Sequence, residues 1–228
     1  MNLKFIPVIL FLLAIVLMSF ISAKPAGKKK VIFFGDSITE MGVQPNGYIS
    51  VMERMLQQQQ ISNYELVGAG IGGNKVYDLY LRMPEDVLAK KPDIVLIYVG
   101  VNDIWHKQLF GTGTDKDKFE RFYRAIISQL QNNGAKVIVC TPATIGEKKD
   151  CTNEMDGDLN AYSNIIRSIS ADLKVPLVDL RSAFLDYENK HNQQNLTKGI
   201  LTTDGVHLND QGNELVARLM WEKIREIN

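Results

Sequence analysis

The feature that most constrains the fold is the alternation of short apolar runs with longer stretches of helical periodicity. Apolar runs that predict strands lie at 31–34, 64–67, 94–99, 136–140 and 176–180. Stretches with helical spacing of apolar residues lie at 48–60, 76–90 (with a break at Pro84), 116–131, 159–173 and 214–227. Continuous apolar runs are typical of strands buried on both faces. The alternation therefore predicts an α/β protein with a five-stranded parallel sheet and helices on both faces.

The N-terminus departs from this pattern and predicts an export signal. Lys4 gives a weakly positive start, and Phe5–Ile21 are seventeen residues without a charge, followed by Ser22 and Ala23. This is the pattern of a secretory signal peptide over 1–23, cleaved after Ala23. An uncleaved membrane anchor is the alternative, because seventeen apolar residues are near the lower limit for spanning a bilayer. We expect a basic linker at 24–30 and one domain at 31–228.

Charge and cysteine content exclude several classes of protein. Lys plus Arg is 26 and Asp plus Glu is 26, so the formal net charge is zero. A nucleic-acid binder usually carries a basic excess, and none is present. Cys140 and Cys151 are too few for a disulfide scaffold. They could bridge the loop between them in an oxidising compartment, or Cys140 could be a buried thiol.

Polar and glycine-rich segments follow the predicted strands, where ligands bind in parallel sheets. After the first strand comes Gly35-Asp36-Ser37-Ile38-Thr39, and after the second comes Gly68-Ala69-Gly70-Ile71-Gly72-Gly73-Asn74. Gly100-Val101-Asn102-Asp103 follows the third strand, and Asp204-Gly205-Val206-His207 precedes the last helix. We expect these four segments to lie at one edge of the sheet.

The residue types in these segments suit acyl transfer. A serine hydroxyl needs a base to take its proton, and His207 can serve Ser37 because imidazole changes charge near neutral pH. Asp204, three residues before His207, can orient the imidazole. The developing oxyanion needs fixed donors, which the N–H groups of Ser37 and Gly73 and the amide of Asn102 can supply. Asp36 and Asp103 are expected to have structural roles.

The four segments together resemble the SGNH hydrolases, also called the GDSL esterase/lipase family. The resemblance runs from Val31 to the last helix and implies a flavodoxin-like three-layer α/β/α sandwich. It implies Ser37 as nucleophile, His207 as base, Asp204 as its partner, and Gly73 and Asn102 as oxyanion donors. It also implies no metal and no organic cofactor. Two places depart from the family pattern, Gly68 where Asn is frequent and Asn74-Lys75 where Asp-Thr is frequent.

Other readings of the same residues find less support. The glycine run follows the second strand and lacks the context of a dinucleotide fingerprint. A two-metal site would need clustered His and carboxylate groups, but the chain has three histidines. His106 and His191 are expected in loops, His191 as a solvated residue at a helix end. Trp105 is either a packed loop aromatic or a wall of an acyl or sugar pocket.

These observations predict an exported serine ester hydrolase that works through an acyl-enzyme. We expect short acyl groups, such as acetyl, on carbohydrate or small esters. The alternatives are a lysophospholipase or thioesterase, and an inactive carbohydrate-binding relative. The expected partner is the ester substrate, with no nucleic acid, and with membrane contact only through an uncleaved N-terminal segment.

Overall fold

A computed structural model describes residues 27–227 and contains a five-stranded, wholly parallel sheet. The strands are β1 (Lys29–Gly35), β2 (Tyr64–Gly70), β3 (Ile94–Tyr98), β4 (Lys136–Cys140) and β5 (Leu177–Val178). Their order in the sheet is β2-β1-β3-β4-β5. In the centre of the sheet, Phe33 of β1 is paired with Gly68 on one side and Leu96 on the other. This order is that of flavodoxin-like folds, so the predicted fold class is confirmed.

Helices cover both faces of the sheet and form the outer layers. They are α1 (Ser37–Gly42), α2 (Tyr48–Gln58), α3 (Val76–Asp86), α4 (Val101–Phe110), α5 (Lys116–Asn132), α6 (Asp156–Leu173), α7 (Leu180–His191) and α8 (Asp210–Glu226). Helices α2, α7 and α8 pack on one face, and α3, α5 and α6 pack on the other. The short helices α1 and α4 begin at the carboxyl ends of β1 and β3.

Two apolar cores hold the three layers together, one on each face of the sheet. Along β1, Val31 and Phe33 point into one core, and Ile32 and Phe34 point into the other. Side chains alternate across a strand, so a run apolar at every position feeds both cores. Each such side chain that is fully buried contributes roughly 1.5–3 kcal/mol by leaving water.

The boundaries differ from the sequence prediction in ways that have physical causes. The predicted break at Pro84 is wrong, because α3 continues to Asp86 and a 3-10 turn at Leu88–Lys90 follows. A proline in the last turn removes one hydrogen bond and need not end the helix there. Helices α1, α4 and α7 were not predicted. Strand β1 begins at Lys29, so the last two residues of the predicted linker belong to the strand.

Three further expectations concern the N-terminus and the cysteines. The predicted signal peptide at 1–23 lies outside the described residues, as does linker segment 24–26. Within residues 27–227, no helix is long and apolar enough to span a membrane. Both cysteines are free thiols, and Cys140 is buried while Cys151 is exposed.

Candidate active site

The structure brings the serine, the histidine and the aspartate of the predicted site into one chain of hydrogen bonds. The Ser37 Oγ lies 2.9 Å from the His207 Nε2, although 170 positions separate the two residues. The His207 Nδ1 lies 2.7 Å from the Asp204 Oδ2. This arrangement lets a proton pass from the serine hydroxyl to an imidazole that a carboxylate orients.

The tight turn after β1 places Ser37 at the edge of the sheet. Asp36 caps α1 by accepting a hydrogen bond from the Ile38 N–H at 3.0 Å. Burial raises the pKa of Asp36 to about 7, against the opposing effects of that hydrogen bond and of the nearby His207. Gly70 lets β2 approach this turn, because a Cβ there would lie 2.1 Å from the Glu40 backbone nitrogen. The position of Ser37 therefore depends on close backbone packing.

Asp204 holds both the backbone and the ring of His207. Its Oδ1 accepts hydrogen bonds from the N–H groups of Val206 at 2.9 Å and His207 at 2.8 Å, and its Oδ2 faces the imidazole. Partial burial would raise the pKa of Asp204, but these hydrogen bonds outweigh it and hold the pKa below the usual value. Asp204 therefore remains a carboxylate at neutral pH, as a partner of an imidazolium should.

Gly73 and Asn102, the other two residues expected to donate to an oxyanion, follow strands β2 and β3. Gly73 has a φ of +74°, a left-handed conformation that favours glycine. The side chain of Asn102 is buried, and its Nδ2 donates to the Asn74 carbonyl at 3.1 Å. That bond orients the amide and uses one of its two N–H groups, so the other has no partner among residues 27–227. The amide can thus donate to a ligand.

Asp103 has the structural role that the sequence suggested. It is fully buried, and both of its carboxylate oxygens lie 3.2 Å from the Val76 N–H. Burial raises its pKa to about 7. The contact joins the start of α4, which carries Asn102, to the start of α3, which follows the Gly73 turn.

Arg82 is a residue of the site that sequence reasoning missed. From α3 its guanidinium donates to the carbonyls of Gly35 at 2.7 Å and Ala69 at 3.0 Å, and to the Asn74 Oδ1 at 2.7 Å. It therefore joins the ends of β1 and β2 to the glycine turn. Nothing in a single sequence distinguishes this arginine from one on the solvated face of an amphipathic helix.

Trp105 lines a cleft beside Asp204, but it lies on helix α4 and not in a loop, and the same holds for His106. The loop prediction for these two residues is wrong. The buried polar residues Asn102 and Asp103 in the first turn of α4 obscure the helical spacing of the apolar residues around them. The cleft measures about 470 Å³, and its lining also includes Lys148, Lys198 and Val206. Burial first, and the charge of Lys75 second, lower the pKa of His106.

His191 lies outside this cluster, as expected of a solvated residue at a helix end. It is exposed at the last position of α7 and stacks on Tyr187, with ring centroids 4.0 Å apart. Within residues 27–227, no three His, Cys, Asp or Glu side chains are grouped so that they could hold a metal ion.

A serine, a histidine and an aspartate joined by hydrogen bonds at the edge of a parallel sheet define a serine hydrolase of flavodoxin-like fold. The chain belongs to the GDSL-like lipase/acylhydrolase family, whose sequence model matches residues 33–215. It is a carboxylic ester hydrolase, which confirms the predicted family and enzyme class.

Several proteins resemble this chain over most of its length. The solved structure of the acetyl xylan esterase AlAXEase is 59% identical, with a TM-score of 0.84, and the match covers 85% of this chain and 98% of that one. An acetylxylan esterase of Geobacillus stearothermophilus is 29% identical over 86% of this chain and 94% of its own length. The lipoprotein YqeF of Bacillus subtilis (strain 168) is 27% identical over 96% of both chains.

Proposed function

We propose that this protein removes acetyl groups from carbohydrate esters, with Ser37 as the nucleophile. The observation that carries the proposal is the chain of hydrogen bonds from the Ser37 Oγ through His207 to Asp204, at 2.9 and 2.7 Å. Asp204, at one end of this chain, lines a cleft of about 470 Å³, which is large enough for the sugar that bears the ester.

In the first half of the reaction, the Ser37 Oγ attacks the acetyl carbonyl carbon while the His207 Nε2 takes the serine proton. The carbonyl π electrons move to oxygen, and the resulting oxyanion accepts hydrogen bonds from the N–H groups of Ser37 and Gly73 and the amide of Asn102. When the oxyanion collapses, the bond to the sugar oxygen breaks. The imidazolium gives its proton to that oxygen, so the sugar leaves as an alcohol and the acetyl group remains on Ser37.

In the second half, water replaces the sugar alcohol. The neutral His207 takes a proton from water, and the hydroxide oxygen attacks the acetyl-serine ester. The same donors stabilise the second oxyanion, and His207 returns its proton to the Ser37 Oγ as acetate leaves. Asp204 stays ionised throughout and stabilises the imidazolium of both halves.

The lining of the cleft favours a sugar over a long acyl chain. Lys148 and Lys198 line the cleft. Neither forms an ion pair within the described part of the chain, so their ammonium groups are available to sugar hydroxyls. Trp105 offers an aromatic surface of the kind that packs against sugar rings. A chain of many carbons would need an apolar tunnel instead. The two similar acetylxylan esterases agree with this choice.

A fluorophosphonate probe with an ester panel tests the proposal. We expect the probe to label the wild type on Ser37, and we expect acetyl esters and acetylated xylan to be cleaved faster than long-chain esters. The Ser37→Ala variant should not be labelled. Its kcat should fall by at least about 10³-fold, because the nucleophile is missing. A preference for chains beyond about ten carbons would contradict the acetyl assignment, and an unlabelled, correctly folded wild type would indicate an inactive carbohydrate binder.

The role of Trp105 is tested by comparing two substrates. Trp105→Ala should raise KM for acetylated xylan by about tenfold, since lost aromatic contact is worth on the order of 1 kcal/mol or more, and should leave a small aryl acetate nearly unaffected. Trp105→Phe is the matched control, because it keeps an aromatic surface. Equal losses on both substrates would place Trp105 in packing and not in sugar binding.

We further propose that residues 1–23 direct export and are removed after Ala23. The sequence pattern of that segment supports this, and the similarity to a lipoprotein accords with an envelope location. Mass spectrometry of the protein recovered from cells and medium should find an N-terminus at Lys24. An intact N-terminus in the membrane fraction would favour the uncleaved anchor.

A further inference from the structure

The segment that carries Asp204 and His207 has little regular structure of its own. It connects α7 to α8, and its only bridge pairs Thr202 with Leu208. Yet the His207 imidazole must stay within hydrogen-bond distance of Ser37, and an error of about 1 Å in such a geometry costs on the order of 100-fold in rate. Some other part of the molecule must therefore hold this connection in place.

Glu147 holds residues 197–202, here called the arm, which lead into the turn at 203–207 that carries Asp204 and His207. Its side chain is fully buried, and its carboxylate accepts three consecutive backbone N–H groups. The Oε2 accepts from Ile200 at 2.8 Å, and the Oε1 accepts from Leu201 at 2.6 Å and Thr202 at 2.7 Å. Its backbone N–H also donates to the Thr197 carbonyl at 3.0 Å. One residue of the loop after β4 thus fixes four positions of the arm.

These hydrogen bonds compensate the buried charge of Glu147. Within residues 27–227 it forms no ion pair, because the nearby Arg181 pairs with Asp156 at 2.7 Å. Hydrogen bonds to a charged acceptor are stronger than those between neutral groups. Burying a carboxylate without such bonds carries a large free-energy cost. The carboxylate and the arm therefore stabilise each other.

Two hydrogen bonds hold the turn at Gly205, one from the arm and one from the loop after β4. The Thr202 Oγ1 accepts a hydrogen bond from the Gly205 N–H at 3.0 Å, and the Gly146 N–H donates to the Gly205 carbonyl at 2.8 Å. Across the turn, the Thr203 N–H donates to the His207 carbonyl at 2.8 Å. Displacement of the arm would therefore move Asp204 and His207 relative to Ser37.

We propose that Glu147 is a positioning residue that sets the location of the Asp204–His207 pair for proton transfer from Ser37. Glu147 does not line the cleft beside Asp204, and its carboxylate acts through the backbone of residues 200–202. The inference rests on the proposed function, since it assumes that Ser37 and His207 carry the reaction.

The Glu147→Gln variant tests this role. Its amide keeps the shape but turns an NH₂ group toward the backbone donors, so at least one of the three hydrogen bonds is lost. We expect kcat to fall about 10- to 100-fold with KM changed less than about twofold. Because a loosened Asp204 stabilises the imidazolium less, the acidic limb of the kcat/KM profile should move to lower pH.

Glu188→Gln is the matched control. Glu188 is also a fully buried glutamate close to Glu147, on helix α7, but its carboxylate has no hydrogen bond to the 200–207 segment. If Glu147 had a merely structural role, Glu147→Gln would lower the melting temperature but, like Glu188→Gln, would leave kcat per labelled site and the pH profile unchanged. Only Glu147→Gln should change kcat per labelled site and the pH profile, when the active fraction is counted with the fluorophosphonate probe.

A folded Glu147→Gln enzyme with the wild-type kcat and pH profile would overturn the proposal. If that variant does not fold, Thr202→Val tests the role of the arm instead. Valine keeps the side-chain shape of threonine and removes the acceptor of the Gly205 N–H. It should lower kcat about threefold to tenfold and move the acidic limb in the same direction. An unchanged profile in Thr202→Val would equally overturn the role of the arm.

These outcomes are separate from those that test the proposed function. If Ser37→Ala is inactive and the wild type is labelled, the esterase assignment stands whatever Glu147→Gln does. If the wild type is not labelled, the esterase assignment fails before the Glu147 comparison begins.

Discussion

The two halves of the proposed active site are built in different ways. The nucleophile half, with Ser37, Gly73 and Asn102, lies on turns that directly follow strands β1, β2 and β3. The base half, with Asp204 and His207, lies on a connection outside the sheet. Asn102 is 3% exposed, whereas the Asp204 side chain is 48% exposed.

The two halves hold their side chains in position by different means. In the nucleophile half, the strands fix the backbone and glycines allow the turns to pack closely, so the geometry follows from the core. In the base half, hydrogen bonds to single side chains must replace the sheet. Substitutions should therefore act in the first half through packing and donors, and in the second through the position of one ring.

Among the variants that test this comparison, the largest effect is expected from Asn102→Ala, which removes a proposed oxyanion donor from the nucleophile half. We expect kcat to fall on the order of 10²–10³-fold, with substrate binding retained, because the donor acts mainly on the transition state. Steady-state kinetics on an acetyl ester measures this. Asn133→Ala is the control, since its amide bonds only to the Gln129 carbonyl on the exposed end of α5. A wild-type rate in Asn102→Ala would refute the donor assignment.

A smaller effect is expected from Arg82→Met, which tests whether the nucleophile half depends on more than the sheet. The Gly35 and Ala69 carbonyls lose a charged donor, which should lower the unfolding free energy by about 1–3 kcal/mol. We expect kcat to fall about tenfold, since the β1 turn and the glycine turn are then joined less firmly. Denaturant unfolding and kinetics measure the two effects. Arg82→Lys keeps the charge without the planar fork, so full recovery by lysine would show that charge alone matters.

The smallest effect is expected from Glu188→Gln on helix α7. It concerns how the unfolding free energy depends on pH. Burial raises the pKa of Glu188 to about 8, so the folded state holds a proton that the unfolded chain releases near pH 4.5. Such a group stabilises the protein below its unfolded pKa, and the contribution declines as pH rises toward 8.

The decline in the unfolding free energy is at most about 1.4 kcal/mol for each pH unit. Asp36 and Asp103, each with a pKa of about 7, act in the same direction. Glu188→Gln should therefore make the slope of stability against pH between 5 and 8 less steep without removing it. Urea unfolding at several pH values measures this, and an unchanged slope would show that Glu188 is ionised in the folded state.

The sequence predicted the nucleophile half more completely than the supports of the base half. Strands such as Ile94–Tyr98 are apolar at every position, so their location and the turns after them could be predicted from pattern alone. Asp204 and His207 were identified because both residue types carry chemistry. Glu147 and Arg82 were not, because their importance depends on backbone groups about 50 positions away, which leave no local pattern.

The missed helices have a related cause. The first turn of α4 is buried in the site, and α7 buries Arg181 and Glu188 beside Leu180 and Phe184. In both helices apolar residues recur at helical spacing, as at Leu180, Phe184 and Tyr187, but buried polar residues share the same face. The pattern is therefore harder to recognise in these helices than in α5, whose buried residues are all apolar or aromatic.

The long interval between Ser37 and His207 has a consequence for biosynthesis. A ribosome completes the strand that presents the hydroxyl early, but the imidazole emerges only after four more strands have been made. Until then the growing polypeptide carries an unactivated alcohol. The chemistry is thus withheld from the nascent chain, and it begins only after long-range folding has joined the early and late segments.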